Sequence, residues 1–262
     1  MILKAFTSPI AFNLFGFQIY WYGIIMAIAI FTGIALTSYL LKRYVSDKDH
    51  TLFTDFAAYI VLFAVLGARL FYVIGSWEFY YNNPNEIFLI NHGGLSIYGA
   101  IIFGIIAIFS LSKIYKFNML KYCDVIATVF PLCQSIGRWG NFFNQEAYGR
   151  PYNGFLQLYI DEMHRKTNFQ NIEYYHPAFL YESILDLALF ILLIFIFLKC
   201  KNIKQGTIFL IYLFLYSIIR IIVESIRIDS VCFVFNIPVA MFISIITAVI
   251  SAFILFIIYK NN

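Results

Sequence analysis

Apolar residues run through this chain in long blocks, and the polar positions fall between the blocks instead of alternating with them. A helix that crosses a bilayer needs about 20 mainly apolar residues. Seven segments meet or approach that measure: 19–41, 52–74, 95–111, 119–136, 179–198, 207–226 and 238–259. The third is short and is expected to begin as a re-entrant piece at Gly93-Gly94. The pattern predicts an all-α, polytopic membrane protein with seven transmembrane helices in one integral membrane domain over 1–262. The long polar connection 137–177 is expected to build a small head between the fourth and fifth helices.

Lysine and arginine orient such a bundle, because they collect in cytoplasmic loops. Lys42, Arg43 and Lys48 follow the first segment, Lys113, Lys116 and Lys121 the third, and Lys199, Lys201 and Lys204 the fifth. The connection 75–91 carries Glu78 and Glu86 and neither Lys nor Arg. An odd number of crossings then puts the N-terminus outside, the C-terminus in the cytoplasm and the 137–177 head on the extracytoplasmic face. Composition agrees: 62% of the 262 residues are hydrophobic and 12% charged, more apolar than a water-soluble core requires. The net charge of +4 is distributed as a topology signal, so no nucleic-acid surface is expected. The first hydrophobic segment is too long for a removable signal peptide and lacks a small-residue cleavage site, so it is expected to be retained. Cys123, Cys133, Cys200 and Cys232 have no metal-ligand spacing and read as bystander thiols; no metal site is expected.

Where charge is scarce, each charged group needs a reason. The stretch 137–149 gathers Arg138, Glu146, Asn141, Asn144, Gln145 and three glycines directly after the apolar run 125–136. A charge at a membrane boundary costs free energy unless it is paired or bound. Arg69, Arg220, Glu224 and Arg227 also fall toward the outer ends of their segments. The last three are spaced i, i+4, i+7, so they share a helix face on which the carboxylate can orient both guanidinium groups. Asp124 falls at the inner end and reads as structural. Guanidinium forks suit phosphate, and the abundant phosphate of the outer leaflet is a phospholipid head group. Glu146, Glu224, His176, Tyr22, Tyr98 and Tyr216 are candidate acids, bases or hydrogen-bond partners. Asn141 and Asn144 suit glycerol or ester oxygens, and Gly149 with its neighbours allows close approach of backbone to lipid. Each has a plainer reading: Arg138 and Glu146 as a structural ion pair, the Arg220–Arg227 ladder as an interfacial anchor, His176 as a cap before Pro177, and Tyr22 as an interfacial aromatic.

The run Gly137-Arg138-x-Gly140-Asn141-Phe142-x-Asn144-x-Glu146-x-x-Gly149 resembles the signature of the prolipoprotein diacylglyceryl transferase family. The likeness continues in Trp21-Tyr22-Gly23, in Gly67-Ala68-Arg69-Leu70-x-Tyr72, in His176-Pro177-x-x-Leu180-Tyr181-Glu182, and in Tyr216-x-x-x-Arg220-x-x-x-Glu224-x-x-Arg227. One departure stands out. Where the family often carries a histidine discussed as the catalytic base, Gly93-Gly94-Leu95-Ser96-Ile97-Tyr98-Gly99 has Tyr98, with His92 ahead of the glycines.

The resemblance implies an enzyme of the bacterial cytoplasmic (inner) membrane that moves the diacylglyceryl group of phosphatidylglycerol onto the lipobox cysteine of a preprolipoprotein signal peptide. The products are a thioether and glycerol phosphate, and no cofactor is needed. In that reading Arg138 and Arg220 take the phosphate, with Glu224 orienting Arg220. Asn141, Asn144 and Glu146 hold the glycerol or the incoming peptide, Tyr22 and Tyr98 complete the polar cavity, and Arg69, Tyr216 and Gly149 line the lipid site. Either Glu146 or His176 serves as proton acceptor; the sequence does not choose. The competing classes are a membrane anion or lipid transporter using the outer arginines, for which the usual inverted repeat is missing, and an intramembrane protease, for which Asp55, Asp124 and Asp186 form no matching motif.

Overall fold

The computed structural model describes residues 1–5, 8–89, 93–200, 203–229 and 233–260. His92, Lys201 and Cys232 lie outside the described residues. Among those described the chain is mostly helical. The helices are α1 (Trp21–Leu40), α2 (Asp47–Gly75), the short α3 (Trp77–Asn82), α4 (Ile97–Tyr115), α5 (Met119–Phe143), α6 (Ala178–Lys199), α7 (Thr207–Ile226) and α8 (Val239–Lys260).

Six of them, α1 with its π-helical extension to Val45, α2, α4, α6, α7 and α8, are long and apolar enough to cross a membrane. The expectation of seven such helices is therefore met by six. The remaining long helix, α5, carries Lys121, Asp124, Gln134, Arg138 and Asn141, and these polar groups dilute its apolar character. α5 also runs past the expected end at 136 to Phe143, so Arg138 and Asn141 sit on a helix and not in a loop. Ring packing explains the extension. Trp139 and Phe142 meet Phe179 edge-on and tilted, at 5.7 and 5.2 Å, and Phe143 stacks on Trp21 at 5.1 Å.

The all-α expectation omits seven short strands among the described residues: β1 (Ile2–Lys4), β2 (Ile10–Leu14), β3 (Phe17–Tyr20), β4 (Gln157–Tyr159), β5 (Tyr174–Tyr175), β6 (Phe233–Val234) and β7 (Ile237–Pro238). β2–β3 and β6–β7 are hairpins that lead into α1 and α8. β1, β4 and β5 form one sheet in that order, β1 parallel to β4 with Ile2 opposite Gln157. Such a pairing joins the N-terminus to a strand far along the chain, which local patterning does not reveal.

The chain forms two compact units. The first combines 1–37 with 123–262. Within it Ala127, Leu189, Leu193, Ile208 and Tyr212 make the apolar core of α5, α6 and α7. Tyr148, Leu158, Ile160, Tyr175 and Phe179 make a second core under the small sheet. There the Tyr148 hydroxyl donates to the His164 carbonyl at 2.8 Å and accepts the Lys166 N–H at 3.0 Å. Burial pushes its phenol up to about 12, so it remains protonated. The carboxylate of Asp124 on α5 caps α7 from outside, accepting the N–H groups of Gly206 at 2.6 Å and Phe209 at 2.9 Å. These are two of the donors that a helix N-terminus leaves unsatisfied.

The second unit spans 38–122. α2 and α4 approach closely at Gly67 and Gly99, where a methyl group on either would collide with the Phe103 ring or with the Gly67 carbonyl. Small residues permit such backbone contact between membrane helices. Gly93 and Gly94, at φ +85° and +78°, turn their carbonyls onto Arg69 before α4 starts; no helix begins there.

Two outcomes follow from these contacts. Asp124→Ala lowers stability by about 1–2 kcal/mol, the usual cost of a lost N-cap, with Asp124→Asn milder; an unchanged melting temperature in detergent would refute the capping role. Arg69→Lys replaces five fixed donors with three, and amide exchange is expected to rise across 84–89 and 93–96 while the α2 interior stays protected. Equal exchange in both proteins would show that Arg69 does not order those segments.

Candidate active site

The polar groups of the first unit meet where α5, α6 and α7 converge. Glu182, in the first turns of α6, has a fully buried side chain. Its Oε1 accepts Arg138 Nη2 of α5 at 2.7 Å, and its two oxygens accept Arg220 Nη1 of α7 at 3.2 and 3.1 Å. Arg220 Nη2 turns to Glu224 Oε2 at 2.6 Å, and Arg227 Nη1 lies 3.8 Å from that same oxygen. The i, i+4, i+7 ladder is thus present on α7 and its end. Arg227 goes on to Asp229, with Nε to Oδ1 at 2.9 Å and Nη2 to Oδ2 at 3.2 Å. Asp229 Oδ2 in turn accepts the backbone N–H of Ala147 at 2.8 Å.

A second arm leaves Arg138 along its own helix. Nη1 reaches Asn141 Oδ1 at 3.4 Å, and Asn141 Nδ2 donates to Glu146 Oε1 at 2.9 Å, an oxygen that Asn144 Nδ2 also approaches at 3.3 Å. Arg138 and Glu146 form no direct ion pair among the described residues; they communicate through Asn141. The arms close into a ring, because Glu146 and Ala147 are neighbours in sequence. Arg138 Nε is buried without a hydrogen-bond partner.

Tyr22 packs its ring against Gly140, where an added methyl group would sit 2.8 Å from the ring. Tyr216 stacks on Tyr212 at 5.7 Å and interacts with the Arg138 guanidinium. His176 stacks on Tyr152 at 3.8 Å and has Nδ1 3.1 Å from the Tyr181 hydroxyl. Burial holds its imidazole below the ordinary histidine value, favouring the neutral ring. Gly149 donates its N–H to the His176 carbonyl at 2.9 Å and sits in a crossing too tight for a Cβ, with His176 Cβ and Ile226 Cγ2 each 2.8 Å from where one would lie.

Two candidates belong to the other unit. Tyr98 is in the first turn of α4 and is exposed. Arg69 has every N–H direction committed to a carbonyl: Nε to Ile87 at 3.0 Å, Nη1 to Gly93 and Gly94 at 2.6 and 2.8 Å, Nη2 to Glu86 and Leu89 at 2.5 and 3.3 Å. That geometry leaves its fork no donor for phosphate.

The residue that sequence reasoning passed over is Glu182. It stood inside a quoted motif without a role, although a Glu with an Asp four residues on, in an otherwise apolar span, is a signal in itself. Asp186, that second acid, is also fully buried, and neither of its carboxylate oxygens has a hydrogen-bond partner. Asp229 was likewise missed, since nothing local marks it.

A sequence model described as prolipoprotein diacylglyceryl transferase matches residues 9–257. A phosphatidylglycerol–prolipoprotein diacylglyceryl transferase of Staphylococcus aureus (strain bovine RF122 / ET3-1) is 40% identical over 252 residues, covering 95% of this chain and 88% of the relative. Another of that name from Trichormus variabilis is 40% identical over 231 residues, covering 86% and 81%. The chain therefore belongs to the prolipoprotein diacylglyceryl transferase family.

Proposed function

We propose that this protein transfers the diacylglyceryl group of phosphatidylglycerol to the lipobox cysteine of a preprolipoprotein. It would act from the bacterial cytoplasmic membrane with α5 as a seventh span, the N-terminus outside, and the β1–β4–β5 head and the ring at the outer leaflet. The observation that carries the reading is the seating of Arg138 and Arg220 on one buried carboxylate, in a chain of this family.

The distribution of carboxylates around the ladder supports Arg138 as the phosphate-facing group. Arg220 touches Glu182 and Glu224, and Arg227 touches Glu224 and Asp229, whereas Arg138 shares Glu182 alone. Arg138 therefore has the fewest direct carboxylate contacts of the three, and its Nε has no hydrogen-bond partner. In the reaction the cysteine sulfur bonds to a saturated glyceryl carbon, the C–O bond breaks, and its electron pair leaves on glycerol phosphate. The phosphate gains negative charge as this happens, so a preplaced guanidinium stabilises the transition state more than the ground state.

A free thiol with a pKa of about 8.5 is mostly protonated near neutrality, so its proton needs an acceptor. Glu146 suits this better than His176. Its Oε1 is oriented by two amide donors and linked through Asn141 to Arg138, while His176 is engaged by Tyr152 and Tyr181.

Incubation of purified protein with labelled phosphatidylglycerol and a lipobox peptide is expected to yield a thioether-lipidated cysteine and glycerol phosphate; no lipidated peptide would overturn the reading. Arg138→Lys keeps the charge and loses the fork. Transfer should fall roughly 10- to 100-fold, the equivalent of about 1.5–3 kcal/mol for a charge-assisted hydrogen bond. A near-normal rate would remove Arg138 from the phosphate.

A further inference from the structure

Beyond α5 the backbone does something costly. Gln145 and Ala147 both adopt left-handed conformations, at φ 53° and 56°, on either side of Glu146. Glycine ordinarily takes such positions after a helix, and a residue with a Cβ is disfavoured there by roughly 1–2 kcal/mol. Strain of this kind persists only where the surroundings over-determine it.

Two carboxylates supply that determination. Gln145 is buried and pairs reciprocally with Asp161, donating from Nε2 to Oδ2 at 2.5 Å and accepting the Asp161 N–H on Oε1 at 2.7 Å. Ala147 is buried and gives its N–H to Asp229 Oδ2 at 2.8 Å, while Asp229 is itself gripped by Arg227. Between these anchors the Glu146 N–H returns to the Asn141 carbonyl at 3.0 Å, which folds the turn back over the helix end. The Glu146 side chain thereby lies against Asn141 and Asn144.

We propose that Asp229 is a positioning residue. With Asp161 opposite, it clamps the left-handed turn 145–147, so that the Glu146 carboxylate is aimed along the Arg138 arm, and it ties this aim to the arginine ladder. The inference rests on the role given above to Glu146.

The test uses full-length protein in detergent with phosphatidylglycerol and a lipobox peptide. Asp229→Ala is expected to lower kcat roughly tenfold or more, the effect of one charge-assisted hydrogen bond, with little change in KM for the lipid. Asp229→Asn retains an acceptor for the Ala147 N–H but loses the charge and one of the two acceptors for Arg227, so its kcat should lie between those of the parent and Asp229→Ala. Ala147→Gly alone should be near-normal, and in the Asp229→Ala background it should recover part of kcat, because glycine adopts positive φ without the Cβ penalty. An Asp229→Ala protein with normal kcat overturns the proposal. So does a double variant that recovers nothing, or losses that merely track melting temperature. If the parent protein transfers nothing, the reading of function falls by itself. The clamp is then decided by amide exchange at 145–147, which must rise in Asp229→Ala and return toward normal in the double variant.

Discussion

The arrangement depends on one carboxylate held out of water between two guanidinium groups. A buried acid with a single partner is expensive, and only good geometry with further hydrogen bonds offsets its desolvation. Glu182 meets that condition by taking Arg138 from α5 and Arg220 from α7 onto its two oxygens. Three helices are thereby fixed at one height by a contact that none of their apolar faces supplies. Apolar packing is non-directional, and the core of Ala127, Leu189 and Leu193 tolerates small slips that the forked contacts do not.

From that fixed point the ring spreads charge without accumulating it. Three arginines are ion-paired with three carboxylates, Glu182, Glu224 and Asp229, and Glu146 joins the ring through Asn141. Catalysis by developing charge benefits from dipoles that are oriented before the reaction begins. Under the proposed function, a guanidinium already held by carboxylates would need little reorganisation as a leaving phosphate gained charge beside it.

Much of this was legible in the sequence. The ends of α7 fall where the apolar pattern puts them, at Thr207 and Ile226, and those of α1, α6 and α8 within two residues. The Arg220-Glu224-Arg227 spacing announced its ladder because helical periodicity is local information. What escaped is non-local. No spacing rule joins Glu182 to Arg138, Asp229 to Ala147, or β1 to β4. The end of α5 was misjudged for a related reason: Gly-Arg-Trp-Gly-Asn reads as a loop on its own, and helical order there comes from ring contacts to Phe179 and Trp21. Arg69 shows the reverse failure. Its motif suggested a ligand, yet backbone carbonyls of two glycines, Gly93 and Gly94, and of Glu86, Ile87 and Leu89 take every donor it has.

The polar make-up of α5 bears on how the chain is assembled during synthesis. Its Asp124 and Arg138 leave the ribosome well before Glu182 and the amides of Gly206 and Phe209 exist. A segment of that composition gains little from entering lipid unaided. The polar groups of α5 find these partners only once α6 and α7 are present, so the three helices depend on one another for folding.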